Sequence, residues 1–368
     1  GAGDDTIVLW SGNDVAYLGD GADYSNGRPG NDRLYGGAGN DNLSGAQGED
    51  ILFGQAGNDI MGGHYENDLL YGGTGDDMYI YSYGGNDIFF EEANEGYDTV
   101  RMNLGDSFAS IEDVRVSGND LIIVYKEGID SYTIKDQMLS SRIEKIRLWD
   151  NSASFELDDI IWGTSSGNTI NGNGYGNVIV GQDGDDTIRG KNGNDLIYGG
   201  DGGDRLYGDY HNDFLFGGDG TDYLYGGHGN DYMIANIAVG EYGYMNGEAG
   251  NDILVSRDGR DRMNGGSGND IFVFETKNFL SKDVLYDFQS GDKLDVAYIL
   301  DGVYDSLSDD IADFIQFTTS GTSDMYMQVD KDGTGGLYSF ENVCLFTDIS
   351  GLDATTLENA GRLITEYA

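Results

Sequence analysis

The sequence predicts an all-β chain built from stacked repeats, and three observations point there. Aspartates recur every nine residues without a slip at Asp5, Asp14, Asp23, Asp32, Asp41, Asp50, Asp59, Asp68 and Asp77. A large apolar residue stands two places after most of them, as Leu34, Leu43, Leu52, Met61 and Leu70 do. Glycine makes up 61 of 368 residues while proline appears once, and glycines fall at fixed places between successive aspartates. A disordered Gly/Asp-rich linker has no reason to keep an apolar residue in phase with an acid.

Each repeat reads G-G-x-G-x-D-x-U-x, with U the apolar residue, as in GGAGNDNL from Gly36 to Leu43. Its glycines permit backbone conformations with φ > 0 and leave carbonyl oxygens free to turn inward. The aspartate adds a hard carboxylate, and Ca2+ takes about six to eight oxygens in a tolerant geometry. One turn offers too few ligands and two stacked turns offer enough, so metal and fold are expected to form together. The apolar residue belongs to a very short strand and is the one dependable core side chain of the repeat.

These residues resemble the RTX family of calcium-binding nonapeptide repeats. The resemblance implies that each repeat makes half a turn of a right-handed parallel β-roll, that repeats n and n+2 lie side by side, and that an ion sits between their turns. The metal ligands are then the aspartates named above with Asp87, and in a second block Asp186, Asp195, Asp204, Asp213, Asp222, Asp231, Asp252, Asp261 and Asp270. At one ion per pair of stacked turns, the chain would take up on the order of fifteen Ca2+.

Composition agrees. Twenty Lys and Arg against 66 Asp and Glu give a formal net charge of -46. That charge excludes nucleic acid and an anionic membrane surface as direct partners and makes divalent cations the natural counter-ions. Without them the chain should repel itself and stay expanded. The single cysteine, Cys344, allows no internal disulfide, which leaves calcium as the staple. No run of about eighteen apolar residues suggests membrane insertion, and no signal peptide is evident. The chain opens inside a repeat, at GAGDDTIVL, as the C-terminal piece of a longer protein would.

Taken in order, residues 1–87 form the first expected roll. Ser25 stands at a core position, Pro29 replaces a turn residue and Glu66 replaces the fourth-position glycine, changes that weaken single sites without ending the stack. After Ile80 the phase slips by one residue, so Asp87 and Asp98 are expected in a fraying end.

Residues 88–161 lose the rhythm and read as a small β-rich domain. IEDVRV, NDLIIVY and DSYTI have strand composition, GND and KEG mark turns, and ELDDIIW suits a short helix. The stretch from Val100 to Asp150 resembles the haemolysin-type calcium-binding-protein-related domain that separates RTX blocks. It shows no convergent catalytic set and reads as a structural joint.

Residues 162–273 form the second roll. Asn168 and Asn177 open it in place of the acid; they can cap the stack but should hold calcium poorly. The interval from Asp231 to Asp252 is 21 rather than 18, which places a three-residue bulge near Ala235 to Ile237.

Residues 274–368 form a β-rich cap and secretion region. DVLYDFQSGDKLDVAYIL resembles the segment that caps RTX blocks in type I secreted proteins, which makes Asp287, Asp292 and Asp295 candidates for a further ion. FIQFTT and MYMQV read as strands, and the tail from Phe340 to Ile364 resembles the C-terminal target region of large type I secretion substrates. DKDGTGGLYSFE, from Asp330 to Glu341, matches an EF-hand loop at its first, third, sixth and twelfth positions, but Thr334 at the fifth and strand-like flanks favour a polar hairpin turn.

Residues flanking the core position point outward from a strand. In the first roll Val15, Tyr17, Tyr35, Ile51, Phe53, Leu69 and Tyr71 make one apolar face. In the second, Val178, Val180, Leu196, Tyr198, Phe214, Phe216, Tyr232 and Ile234 do the same. Surfaces of this size mark contacts. Both faces are expected to be buried within the chain, since sugar platforms need polar partners beside the rings and these offer few.

No enzyme and no catalytic residue is expected. His64, His211 and His228 occupy turn positions, GTSSG (163–167) lacks the strand-turn-helix setting of a nucleophile elbow, and GNGYGN near Asn173 is no dinucleotide loop. The family resemblance implies the calcium-responsive export and folding segment of a large surface adhesin of a Gram-negative bacterium, with the type I secretion machinery and upstream domains of the same chain as partners. A trailing segment of a secreted protease, lipase or polysaccharide-modifying enzyme is the alternative, and a glycan- or peptide-binding module a third.

Overall fold

The computed structural model describes residues 1–81, 84–91, 96–103, 111–117, 120–125, 131–134, 145–149, 154–157, 159–235, 242–257, 259–275, 283–300, 314–320, 324–329, 341–347, 357 and 363–364. A nine-residue repeat cannot bury its own apolar side chain, so each must lie on a neighbour. Strands Val15–Asp20, Arg33–Ala38, Ile51–Ala56, Leu69–Thr74 and Asn86–Phe90 pair in parallel in one sheet. The intervening strands Thr6–Val8, Tyr24–Pro29, Asn42–Gln47, Ile60–Tyr65, Met78–Tyr81 and Thr99–Asn103 form the other. Successive repeats thus alternate between two sheets, and like positions stack: Leu34 on Leu52, Leu52 on Leu70, Leu43 on Met61. This is a parallel β-roll. Its core is a double file of these side chains, each at most 1% exposed and each contributing about 1.5–3 kcal/mol of apolar burial.

The chain divides into two lobes, Gly1–Ile160 and Ile161–Ala368. The second repeats the arrangement. Asn177–Asp183, Leu196–Asp201, Phe214–Asp219, Tyr232–Ile234, Ile253–Ser256, Ile271–Phe274 and Lys293–Asp295 run in one sheet. Thr169–Asn171, Thr187–Asn192, Arg205–Tyr210, Asp222–His228, Gly243–Ala249, Arg262–Asn264 and Asp283–Asp287 run in the other. The expected bulge after Ala235 falls on residues outside those described.

The three strands expected in the middle segment appear as Ile111–Ser117, Asp120–Tyr125 and Ser131–Ile134, joined antiparallel. The last lies parallel to Asn86–Phe90 and so extends a sheet of the first lobe. The helix expected at ELDDIIW is not formed. That stretch is two strands, Ser154–Leu157 and Asp159–Trp162, the first paired antiparallel with Lys145–Trp149. So short a segment gains little as a helix, whereas the open sheet edge gives its backbone partners at once.

At the C-terminal end Ile315–Ser320, Asp324–Val329 and Glu341–Phe346 are antiparallel, and the last joins Asp283–Asp287 in parallel. Residues 330–340 of the EF-hand-like stretch lie outside the described residues. No described helix is long and apolar enough to cross a membrane.

The expectation that both apolar faces are buried holds in one lobe only. Val178, Val180, Leu196 and Ile234 are at most 1% exposed, but Val15 is 53% and Tyr17 71% exposed. In the first lobe the rings of Tyr17, Tyr35, Phe53, Tyr71 and Phe90 stack in a column at centroid separations of 4.6, 4.7, 4.8 and 4.4 Å. The spacing of paired strands is close to the stacking distance of rings, so each ring covers the flanks of its neighbours in the column.

Candidate metal centre

Each turn offers its neighbours two side chains, which point opposite ways along the stack. The backbone N–H of Asp32 donates to Oδ1 of Asp50, that of Asp41 to Asp59 and that of Asp59 to Asp77, each at 2.7 Å. The residue before the aspartate runs the return ladder: Asn40 Oδ1 accepts from the N–H of Asn58 at 2.9 Å, and Asn58 Oδ1 from that of Asp76 at 3.1 Å. Every such turn is therefore tied to both neighbours in its sheet.

The second carboxylate oxygen, Oδ2, faces the glycine five residues earlier. A Cβ on Gly54 would come within 3.0 Å of Asp59 Oδ2 and 2.7 Å from the carbonyl oxygen of Gly72; Gly36 stands in the same relation to Asp41 and to Gly54 O at 2.8 Å. Gly54 and Gly36 are not among the positive-φ glycines, so it is space that requires glycine there. At Gly57 the reason differs: φ is +130° and the backbone lies against Gly39. A carboxylate oxygen from one turn and a carbonyl oxygen from the next turn of the sheet thus converge on a place that no side chain occupies.

Among the described residues, Oδ2 is buried without a hydrogen-bond donor in Asp23, Asp32, Asp41, Asp50, Asp59, Asp68, Asp77, Asp186, Asp195, Asp204, Asp213, Asp231, Asp252 and Asp270. Burial lifts the Asp68 and Asp50 carboxyls to about 8 despite the opposing pull of a backbone N–H, with neighbouring acids adding to the rise. Asp59 stands at about 6 for the same first reason. Asp213 reaches about 10, through burial first and the Asp231 carboxylate second. A buried carboxylate without a donor is costly. A hard cation held between that oxygen and the facing carbonyl removes the cost, and carboxylate with carbonyl is a donor set suited to Ca2+.

The other expected ligands also fall in the ladder. Asp87 accepts from the N–H of Asp68 (3.0 Å) and Asp222 from that of Asp204 (2.9 Å), while Asp261 donates its own N–H to Asp283 (2.9 Å). Asp5 and Asp14, in the first two turns, donate to Asp23 and Asp32 at 2.7 Å and are the more exposed members. Asn168 and Asn177 turn their Oδ1 back onto their own loops, accepting from Thr164 (2.6 Å) and Asn173 (2.9 Å), as caps rather than links.

The fraying end expected after Ile80 is not found at Asp87 and Asp98. Asp98 is 2% exposed and accepts from the N–H of Asp77 at 2.9 Å. Asp283, which the repeat phase did not reveal, does the same for Asp261, and Asp292 for Asp270 at 3.0 Å. These pairs are 21, 22 and 22 residues apart; inserted residues hide the phase. The available signal was the D-x-U triplet itself, with Val100, Leu285 and Leu294 all fully buried. Of the other cap candidates, Asp287 accepts from the Gln289 amide (2.8 Å) and Asp295 from the N–H of Ala297 (3.0 Å). His64, near the end of the strand Ile60–Tyr65, and His211, just after Arg205–Tyr210, have φ of +84° and +79°, and His228 stacks on Tyr210 at 5.2 Å.

A family model for the RTX calcium-binding nonapeptide repeat, in units of four copies, matches residues 1–25, 26–61, 62–90, 162–197, 171–206, 207–236 and 244–272, together just over half of the chain. A search of curated protein sequences finds no match. Among solved structures the chain is similar to the AlgE6R3 subunit of the Azotobacter vinelandii mannuronan C5-epimerase, at 20% identity over 37% of this chain and 73% of that one, with a TM-score of 0.20. It is similar to the extracellular lipase LipA from Serratia marcescens at 16% identity, over 86% of this chain and 40% of that one, TM-score 0.23. A hyperactive Ca2+-dependent β-helical antifreeze protein from an Antarctic bacterium is 13% identical over 80% of this chain and 83% of that one, TM-score 0.19.

Proposed function

The chain belongs to the RTX calcium-binding nonapeptide repeat family, and from that premise we propose that it folds around calcium outside the cell and so serves the type I secretion of a large bacterial surface adhesin. The observation that carries this reading is the file of buried aspartate Oδ2 atoms without donors, which at Asp32, Asp41, Asp59, Asp186, Asp195, Asp204, Asp213 and Asp252 converge with a glycine carbonyl of the next turn. The proposed ligands are the in-phase aspartates from Asp5 to Asp87 and from Asp186 to Asp270, with the facing glycine carbonyls. Bound ions would neutralise much of the net charge of -46.

Extracellular calcium modules bind with Kd of about 10⁻⁴ to 10⁻³ M. Sites of that strength stay empty in the cytosol, where the chain would remain expanded and threadable, and fill outside, where it would close into a stack that cannot slip back. The adhesin assignment rests on the likeness of the tail, Phe340 to Ile364, to type I target regions. A second reading, a segment trailing a secreted enzyme of a Gram-negative bacterium, shares every step of this mechanism and differs only in what lies upstream. In both readings the roll is a structural scaffold.

Circular dichroism against calcium concentration tests the mechanism. The expected result is a cooperative gain of β-structure, reversed by chelator. A chain equally folded in chelator would remove calcium-driven folding from the export step.

A further inference from the structure

Two departures from the repeat meet at one place in the first lobe. The strand Asn86–Phe90 pairs with Leu69–Thr74 so that Phe90 lies opposite Tyr71. Glu91 therefore stands opposite Gly72, at the position where earlier repeats carry their first glycine. The core position of the preceding repeat holds Tyr79, fully buried, where its predecessors hold Leu70 and Met61. The Tyr79 hydroxyl donates to the Glu91 carboxylate and also reaches the carbonyl oxygen of Phe90 at 3.1 Å.

The consequence shows at Gly72. Around Gly54 the converging atoms are an aspartate Oδ2 and the carbonyl oxygen of Gly72; around Gly72 they are Asp77 Oδ2, the Tyr79 hydroxyl and the Glu91 Oε1. Three side-chain oxygens, a second carboxylate among them, come nearer to this position than any backbone carbonyl. Asp98, which accepts from the N–H of Asp77 at 2.9 Å, brings a third acid, and one carboxylate oxygen from each of Asp77, Glu91 and Asp98 lies within 4.8 Å of the others. Independently of this grouping, Asp77 is 1% exposed, and its Oδ2, aimed into the space before Gly72, has no hydrogen-bond donor.

We propose that Asp77, Glu91 and Asp98 form a cation site of different make from the rest of the array, one that takes a calcium-sized hard ion on three side-chain carboxylates and binds it more tightly than the neighbouring turns do. The inference rests on the calcium reading given above. Three acids this close repel one another unless a cation lies among them. Affinity in oxygen-ligand sites rises with the number of charged ligands and the rigidity of the site. Tyr79 supplies the rigidity as a positioning residue, since its hydroxyl fixes the Glu91 side chain from inside the core. The site closes the stack where the nine-residue phase is lost, so a tight ion there anchors the last regular turns.

Terbium, a hard trivalent probe excited through tyrosine, reads the site in the full chain, because the Tyr79 ring adjoins it. Wild type should show a first class of about one ion, bound at least about tenfold more tightly than the remainder, as an added charged ligand implies. Glu91→Gln should move that ion into the weaker class. Glu91→Gly, which restores the residue of the repeat and so guards against misfolding, should do the same with unchanged circular dichroism in saturating calcium. Tyr79→Phe should weaken the tight class and keep the number of ions. Asp41→Asn should remove a weak ion and leave the tight class intact. Glu91→Gln and Glu91→Gly curves that superimpose on wild type would overturn this site while leaving the array standing. A wild-type chain that takes up neither terbium nor calcium would overturn both.

Discussion

Replacing Gly54 with alanine separates a space reserved for an ion from an ordinary tight turn. Gly54 is not among the positive-φ glycines, so alanine is conformationally permitted. At such positions it usually stabilises by about 0.4–1 kcal/mol through the unfolded chain. Here the new methyl would sit within 3.0 Å of Asp59 Oδ2 and 2.7 Å from Gly72 O, in the space where the two donors converge. At calcium about 100-fold above Kd a filled site contributes about 2.7 kcal/mol. The expected net effect of Gly54→Ala is therefore a loss of about 2 kcal/mol in saturating calcium. Titration calorimetry should count one ion fewer, and the calcium midpoint of folding by circular dichroism should rise. An alanine variant with the wild-type ion count and midpoint would refute the placement of ions between these turns.

Asp41→Asn keeps an oxygen to accept from the N–H of Asp23 (2.8 Å) but removes the charge. Calorimetry should show one ion lost, with a cost of about 2–3 kcal/mol in high calcium and β-structure retained. His64→Gly, at φ +84°, should leave ion count and midpoint unchanged in the same titration. The pH dependence has a definite sign. Burial holds Asp59 at about 6, Asp252 at about 7 and Asp68 at about 8, above the ordinary 3.8. Without ions, these carboxyls bind protons more tightly in the roll than in the unfolded chain. Their contribution to an ion-free roll is thus fully present below about pH 4 and lost as pH rises through 6 to 8. Calcium competes with those protons, so binding near pH 6 should release them, and calorimetric enthalpies should differ between buffers of different ionisation enthalpy. Buffer-independent enthalpies would contradict the burial of these groups.

The roll was legible because its period is rigid: one acid and one apolar residue in phase fix which side chains stack, and Leu34, Leu52 and Leu70 do so in register. Asp98, Asp283 and Asp292 were harder, since a loop of a few extra residues destroys the interval while leaving the ladder intact in space. The asparagine ladder gave no signal of its own, because an Asn before an Asp looks like any turn residue until a neighbour is stacked on it. Sequence also showed which faces are apolar without showing what shields them. Tyr17 to Phe90 shield one another sideways, a lateral effect that a strand-by-strand reading misses. Between Ser154 and Trp162 the apolar residues Phe155, Leu157, Ile160, Ile161 and Trp162 span too short a stretch to separate a helical from a strand period, so the open sheet edge decided.

Pairing at an interval of eighteen residues also sets an order of assembly. No regular turn of the first roll waits for a distant part of the sequence, and a newly available repeat needs only the one two places along the chain to complete its ladder. Folding of this kind is sequence-local and fast compared with ordinary β-architectures, and it can begin at whichever end first meets the ion. A damaged turn would then halt growth at its own position, leaving the coils already closed beyond it intact.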